Sequence, residues 1–315
     1  MSGGKNIVLI AGPTASGKSA AALALARAHD GVIVNADSMQ VYAELSILTA
    51  RPGHDDLSAA EHLLYGTISA AQPFSAAQWA AAAVSAIASA HARGKLAIVV
   101  GGTGLYFHVL MHGLSPVPPV PDDVRKAARQ LRVELGAERF FAALEAVDRE
   151  AATRLNPNDT QRVVRAYEVA KGTGKPLSEW QKVKGTPLIA LGDAVAIVVA
   201  RERGDLNDSI NARFDVMMEA GAMDEVLAFR ALPPRPEWPA TRALGVRPLL
   251  AHLDGELTLL EAVERAKAET RAYAKRQATW FRHQMPGWHR VSGEGAGAGV
   301  VEPVLRLFSQ MRNET

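Results

Sequence analysis

The strand-like run Asn6–Ala11 (NIVLIA) passes at once into Gly12-Pro13-Thr14-Ala15-Ser16-Gly17-Lys18-Ser19, and this junction restricts the fold more than any other feature. The octet matches G-x-x-x-x-G-K-[ST], a turn that joins a buried strand to a helix. Its glycines let backbone N–H groups converge on phosphate oxygens, Lys18 adds a point charge, and the Ser19 hydroxyl is placed to ligate Mg2+. The strand reads as buried and parallel, so crossover units must follow it.

Three further β-branched runs supply the partners: Gly31–Asn35 (GVIVN), Leu96–Val100 (LAIVV) and Ala194–Ala200 (AVAIVVA). Between them, Ala20–His29 and Ala76–Arg93 are rich in alanine and lack interior proline or glycine, which predicts helices. The expected fold is α/β, a P-loop NTPase-like parallel sheet with flanking helices. The proline-dense Ser115–Pro121 (SPVPPVP) stops the pattern, and the chain then reads as wholly helical to about Gly185. That predicts an inserted helical domain at 118–186, splitting a core of 1–117 and 187–291. A second interruption, Leu232–Pro239 (LPPRPEWP), precedes a long helix from Thr258 to Met285. Residues 292–315, opening on SGEGAGAG, read as a flexible tail with a short terminal helix.

Composition narrows the function classes. The chain has no cysteine, which excludes disulfides, thiolate metal sites and a cysteine nucleophile and fits a reducing cytoplasm. No apolar run approaches bilayer length and the N-terminus lacks a signal-peptide pattern, so no membrane partner and a cytoplasmic location are expected. The net charge is +2, yet residues 265–290 hold seven Lys or Arg against the single acid Glu269. Basic charge so concentrated points to a polyanionic partner.

Two more motifs fall where the sheet should present ligands, at the carboxyl ends of its strands. The second strand ends in Asn35-Ala36-Asp37-Ser38-Met39-Gln40-Val41-Tyr42. A carboxylate at Asp37 can hold Mg2+, take a proton from a nucleophile, or simply cap a turn. The third runs into Gly101-Gly102-Thr103-Gly104-Leu105-Tyr106, a glycine turn facing the same anion. A nucleotide hydrolase would carry an acid at that strand end to coordinate Mg2+ around ATP, and none stands there. The phosphate ligand is thus expected to be a substrate whose diphosphate leaves. Gly172-Thr173-Gly174-Lys175 only imitates the loop, since Val169 and Pro176 break the pattern, and it reads as a turn. His108 and His112 share a helix face, but Val109 stands where H-E-x-x-H requires glutamate, so they read as surface or packing residues.

Taken in order, Gly12–Ser19, Asp37–Tyr42, Gly101–Tyr106, Asp159–Val169 (DTQRVVRAYEV), Gly174–Ser178 (GKPLS) and Thr270–Trp280 (TRAYAKRQATW) resemble the tRNA dimethylallyltransferase family, also called tRNA isopentenyltransferases. The resemblance implies Mg2+-dependent transfer of a dimethylallyl group from dimethylallyl diphosphate to N6 of the adenosine 3′ of the anticodon. The tRNAs are those reading codons that begin with U, and diphosphate is released. It implies that Gly12, Pro13, Thr14, Ala15, Ser16, Gly17, Lys18 and Ser19 bind the diphosphate, with Ser19 toward the metal. Asp37 becomes the general base, Thr103 lies between the two substrates, and Arg213 touches the diphosphate. Asp37, Ser38, Met39, Gln40 and Thr103, with Arg125, Gln161, Arg162, Val163, Val164 and Arg165 of the insertion, fall to tRNA contact.

The family helix R-I-x-x-R-x-x-x-M-x-x-x-G reads here from Ser209 to Gly221, with Ser209 at the first arginine, and a motif usually ending in Gly-Tyr ends in Gly245-Val246. Base flipping is expected, because N6 must leave its stack to meet a carboxylate. Arg271, Lys275, Arg276 and Arg282, beside Tyr273 and Trp280, are expected to hold the anticodon stem-loop of a tRNA. A monomer is expected. The rivals are a small-molecule kinase with ATP in the loop, a transferase acting on free adenine nucleotides, and an RNA-binding module without chemistry.

Overall fold

The structure, a computed structural model, describes residues 6–232, 238–293 and 297–313. The chain divides into a larger unit, residues 1–111 with 188–315, and a smaller one, residues 112–187. The larger unit opens with β1 (Ile7–Ala11), α1 (Lys18–His29), β2 (Gly31–Asn35), α2 (His54–Ala59), β3 (Glu61–Leu63), α3 (Ala76–Ala92), β4 (Leu96–Gly101) and α4 (Gly104–His112). The smaller unit contains α5 (Asp122–Val147), α6 (Arg149–Arg154), α7 (Thr160–Thr173) and α8 (Leu177–Gln181). The chain then returns through β5 (Ala194–Ala200), α9 (Arg203–Glu219), α10 (Ala222–Ala231), α11 (Val246–Leu253), α12 (Leu259–Gln284), β6 (His289–Ser292) and α13 (Val301–Asn313).

The six strands form one sheet in the order β3-β2-β4-β1-β5-β6, and every pairing is parallel. Leu9 at its centre stands opposite Val99 and Ala196. Because side chains alternate across a strand, Leu9 and Ala11 join one core layer with Trp79, Phe107 and Phe281. Val8 and Ile10 join the other, with Leu25, Val304 and Phe308. Both faces are covered, as a parallel sheet requires, so its strands read as continuous apolar runs. Truncating a side chain as buried as Leu9 to alanine costs about 2–5 kcal/mol. Helix α3 starts on a reciprocal cap, Ser75 with Gln78, and is pinned to the sheet where Trp79 Nε1 donates to the Asn35 carbonyl at 2.7 Å.

The smaller unit has its own core, built on Phe140, Leu144, Val163 and Val164. Its helix α5 bends at Gly136, where φ is 73°. Asp148 fastens the unit internally: Oδ1 accepts the Ala151 N–H at 2.9 Å and the Ser178 hydroxyl at 2.6 Å.

The four runs read as strands all lie in the sheet, while its two outermost strands, Glu61–Leu63 and His289–Ser292, were not foreseen. The expected terminal helix is present, but it is docked and not part of a flexible tail. Residues 301–313 are a helix whose Val304 and Phe308 are fully buried against α1 and the sheet, because its apolar side completes the second core layer. Residues 294–296 of that segment, and 233–237 of the interruption at Leu232–Pro239, lie outside the described residues.

Candidate active site

Since all strands run parallel, the ends of β1, β2, β4 and β5 share one edge, and the foreseen motifs of the larger unit collect there. The loop after β1 turns through left-handed backbone at Ala15 (φ 62°) and Gly17 (φ 90°), which folds it back on the first turn of α1. Ser16 N donates to Pro13 O at 3.3 Å and Lys18 Nζ donates to the same carbonyl at 3.1 Å. The Ser16 hydroxyl is buried within the loop without a hydrogen-bond partner, a donor left for an anion. Desolvation pulls the Lys18 ammonium down to about 8, against the opposing pull of Asp37, and Arg213 lowers it further.

Asp37 is held by its neighbours. Asn35 Oδ1 accepts the Asp37 N–H at 2.8 Å, and Asn35 Nδ2 donates to the Asp37 carbonyl and to Leu64 O, each at 3.0 Å. One carboxylate oxygen, Oδ1, accepts the Met39 N–H at 2.9 Å. The other, Oδ2, lies against Gly102, 3.4 Å from where a Cβ would stand. Burial first and the Asp37 charge second push the phenols of Tyr65, Tyr106 and Tyr273 up, so three neutral tyrosines surround the carboxylate electrostatically. Thr103 accepts the Ser38 N–H at 2.9 Å and donates to the Ser38 hydroxyl at 3.2 Å, tying the glycine turn to the Asp37 segment.

Arg213 reaches the loop from α9 and donates through Nη2 to the Thr14 hydroxyl. Burial lowers its pKa and Asp37 raises it. Lys18, Arg213 and Asp37 thus form a two-cation, one-anion cluster beside a cavity of about 290 Å³. Thr14, Asp37, Ser38, Arg213, Arg242, Tyr273 and Arg276 give that cavity polar groups, and Met39, Leu48, Ile210, Phe214 and Met217 give it an apolar wall. Such a mixture suits a ligand with a charged head and a short hydrocarbon tail.

Three residues of the site, Gln277, Arg242 and Glu225, carry no motif in the sequence. Gln277 is buried, accepts the Thr14 N–H through Oε1 at 2.9 Å and donates to Gly102 O at 2.8 Å, so one amide couples the phosphate loop to the glycine turn. A Cβ on Gly102 would stand 2.3 Å from Gln277 Nε2, which explains the glycine. Thr270, Ala274, Gln277 and Phe281 make one buried stripe of α12, and a glutamine on such a stripe is the signal that could have found it. Arg242 and Tyr273 enter the cavity wall. Glu225 on α10 accepts the N–H groups of Ser46, Ile47 at 2.8 Å and Leu48 at 2.9 Å, shaping the loop that brings Leu48 to the cavity.

Of the remaining foreseen residues, Lys275, Arg276 and Arg282 are exposed on α12, while Arg271 is half-buried and donates to Asn211 Oδ1 at 2.6 Å. Lys267, another of the seven basic residues of 265–290, is taken up by a pair with Asp215 at 2.7 Å. Trp280 packs on Phe281 and His108. Gln161 and Arg162 are exposed on α7 of the smaller unit, and Arg165 lies 3.8 Å from the buried Glu168. Val163 and Val164 are corrected from tRNA contact to core: they are 1% and 8% exposed. Gln40 donates to Thr49 O and Ala50 O at 2.9 and 2.8 Å and is a loop fastener.

The Mg2+ that the resemblance implies finds an oxygen donor in the Ser19 hydroxyl, exposed in the first turn of α1. Among the described residues no cluster of three or more His, Cys, Asp or Glu could hold a metal by itself, as expected for an ion held largely by water and substrate phosphates.

A parallel sheet, a phosphate loop and a carboxylate beside an amphipathic cavity, with no acid at the end of β4, define a phosphate-loop group transferase. Residues 40–284 match the family model described as IPP transferase. The chain is 50% identical over 283 residues to the tRNA dimethylallyltransferase of Parvibaculum lavamentivorans, covering 89% of each. It superposes with TM-score 0.67 and 31% identity on the full-length tRNA isopentenylpyrophosphate transferase of Bacillus halodurans, covering 98% of this chain and 97% of that one. A eukaryotic dimethylallyltransferase solved acting on tRNA gives TM-score 0.73 at 26% identity, over 91% and 73% of the chains. The chain belongs to the IPP transferase family and is a prenyltransferase. No helix among the described residues is long and apolar enough to cross a membrane.

Proposed function

We propose that this enzyme moves the dimethylallyl group of dimethylallyl diphosphate onto N6 of the adenosine 3′ of the anticodon, in tRNAs reading codons that begin with U. The observation that carries it is a fixed carboxylate, Asp37, lining one cavity with a buried cation, Arg213, while the desolvated Lys18 ammonium of the phosphate loop lies within electrostatic reach of both. An adenine amine is a weak nucleophile, since its lone pair is delocalised into the ring. Asp37 Oδ2 accepts the N6 proton as the N6–C1 bond forms. The C1–O bond breaks, and its electron pair leaves with the diphosphate. Lys18, Arg213 and the loop N–H groups stabilise that departing charge, and donors fixed before the reaction are usually the largest catalytic contribution. Mg2+, which the Ser19 hydroxyl would help to hold, would supply further charge neutralisation for the diphosphate. Leu48, Ile210, Phe214 and Met217 hold the hydrocarbon tail and exclude water.

Arg125, Gln161, Arg162 and Arg165 of the smaller unit, with Arg271, Lys275, Arg276 and Arg282 of α12, bind the tRNA anticodon stem-loop, and the protein acts as a monomer in the cytoplasm. Incubation with radiolabelled dimethylallyl diphosphate, Mg2+ and either tRNA, AMP or ATP tests the assignment. Label is expected in tRNA alone. Label in AMP or ATP, or none in any acceptor, would overturn it.

A further inference from the structure

Helix α12 reaches both halves of the site through one amide. Gln277 is 5% exposed, and its Oε1 accepts the Thr14 N–H at 2.9 Å while its Nε2 donates to Gly102 O at 2.8 Å. Thr14 belongs to the phosphate loop, and its hydroxyl is held in turn by Arg213. Gly102 stands just past the end of β4, against Asp37 Oδ2, and the next residue, Thr103, binds the Ser38 N–H beside Asp37. The Tyr273 phenol of the cavity wall hydrogen-bonds the same glutamine. Three residues further along α12, Trp280 lies so close to Gly104 that a Cβ there would strike the indole. The glycine turn is thus seated on α12 at Gly102 and again at Gly104. A buried helix stripe needs no amide in order to pack, since an apolar side chain of similar volume fills the same space. What the amide adds is direction, because one bond points to the loop and the other to the turn.

We infer that Gln277 is a positioning residue for the transfer step: by bonding the phosphate loop and the glycine turn at once, it sets the distance between the leaving diphosphate and the Asp37 carboxylate that receives the acceptor's proton. The inference rests on the reading of the site given above. Each substrate keeps its own contacts when the amide is lost, so the dependence falls on the rate of transfer and not on either affinity.

The test is single-turnover transfer of the labelled dimethylallyl group to tRNA at saturating donor and acceptor, with calorimetric binding of inorganic diphosphate and the affinity for tRNA measured alongside. Gln277→Met, close in volume and unable to make either bond, should transfer about 10²-fold more slowly, the effect of roughly an ångström of misplacement, with both affinities unchanged. Gln277→Glu is the conservative partner. Its ionised carboxylate still accepts from Thr14 but cannot donate to Gly102 O, and burial beside Asp37 raises its pKa. Its rate relative to the wild type should therefore recover as pH falls from about 8 to about 6, as the protonated acid regains the donor, while the methionine deficit stays constant. A side chain that merely filled the core would give neither the split between rate and affinity nor the recovery. A wild-type rate in Gln277→Met, a parallel loss of rate and affinity, or a glutamate deficit that ignores pH would each overturn the inference. Should thermal melting show the methionine variant unfolded, the pH profile of Gln277→Glu decides alone. Asp37→Asn is the control: if it transfers at the wild-type rate, the base assignment itself fails, and with it the ground for Gln277.

Discussion

Asp37 and Lys18 are coupled, and the coupling sets opposite expectations for chemistry and binding. The carboxylate raises the Lys18 pKa while burial and Arg213 lower it. Asp37→Asn should cut single-turnover transfer to tRNA by about 10²–10⁴-fold, as for a lost general base. Affinity for dimethylallyl diphosphate should hold or tighten, because an anion has been removed beside the anion site. A near-normal single-turnover rate would end the base assignment. The free enzyme loses the Lys18 ammonium as pH rises through about 8, whereas bound diphosphate favours the charged form. The KM for dimethylallyl diphosphate should therefore rise above pH of about 8 while kcat stays flat, and Lys18→Arg should abolish the inflection. The same depressed pKa means that folding itself gains stability as pH climbs from about 8 toward 10.5, since the unfolded chain then holds the extra proton. Binding and stability thus move in opposite directions over one pH window, which separates a loop effect from unfolding.

Helix α12 combines two jobs on different faces. Its buried stripe, Thr270, Ala274, Gln277 and Phe281, fastens the loop and the sheet, while Lys275, Arg276 and Arg282 face solvent. Replacing Lys275 and Arg282 together by alanine should weaken tRNA binding at low salt and flatten log affinity against log salt by roughly one to two units, as counterion release predicts. Lys267→Ala should leave the slope alone, since Lys267 already pairs with Asp215. An unaltered slope in the double variant would show the exposed face to be only solvated. What could be read from sequence at this scale follows from where each element buries its side chains. Strands β1, β2, β4 and β5 are covered on both faces and announce themselves as apolar runs, whereas β3 (EHL) and β6 (HRVS) are short, polar rims with no periodic signal. The phosphate loop was legible because glycines and a lysine encode a backbone shape locally. Gln277, Arg242 and Glu225 were not, because only tertiary packing carries them to the site.

For the whole molecule, the decisive feature is how the insertion leaves and re-enters the core. Leu188 N and Ile189 N both donate to Leu110 O, at 2.9 and 3.0 Å, so the two ends of the larger unit already meet where the smaller one departs. The smaller unit keeps its own buried cluster and its own buried polar anchor at Asp148, and none of the residues assigned to the prenyl diphosphate belongs to it. Ser115–Pro121 marked the change of architecture in the sequence because consecutive prolines forbid both a helix and an inner strand, although the smaller unit spans 112–187 rather than 118–186. Two independent cores predict separable functions. A chain in which residues 112–187 are replaced by a short glycine–serine linker should fold with a cooperative transition and bind dimethylallyl diphosphate and inorganic diphosphate as the full chain does. It should lose transfer to tRNA, because Arg125, Gln161, Arg162 and Arg165 go with the deleted segment. Circular dichroism melting, calorimetry with diphosphate and the labelled transfer assay read the three expectations apart. Full tRNA transfer by the shortened enzyme would confine recognition to α12 and the Asp37 segment, and loss of diphosphate binding in a folded chain would show that the smaller unit completes the phosphate site.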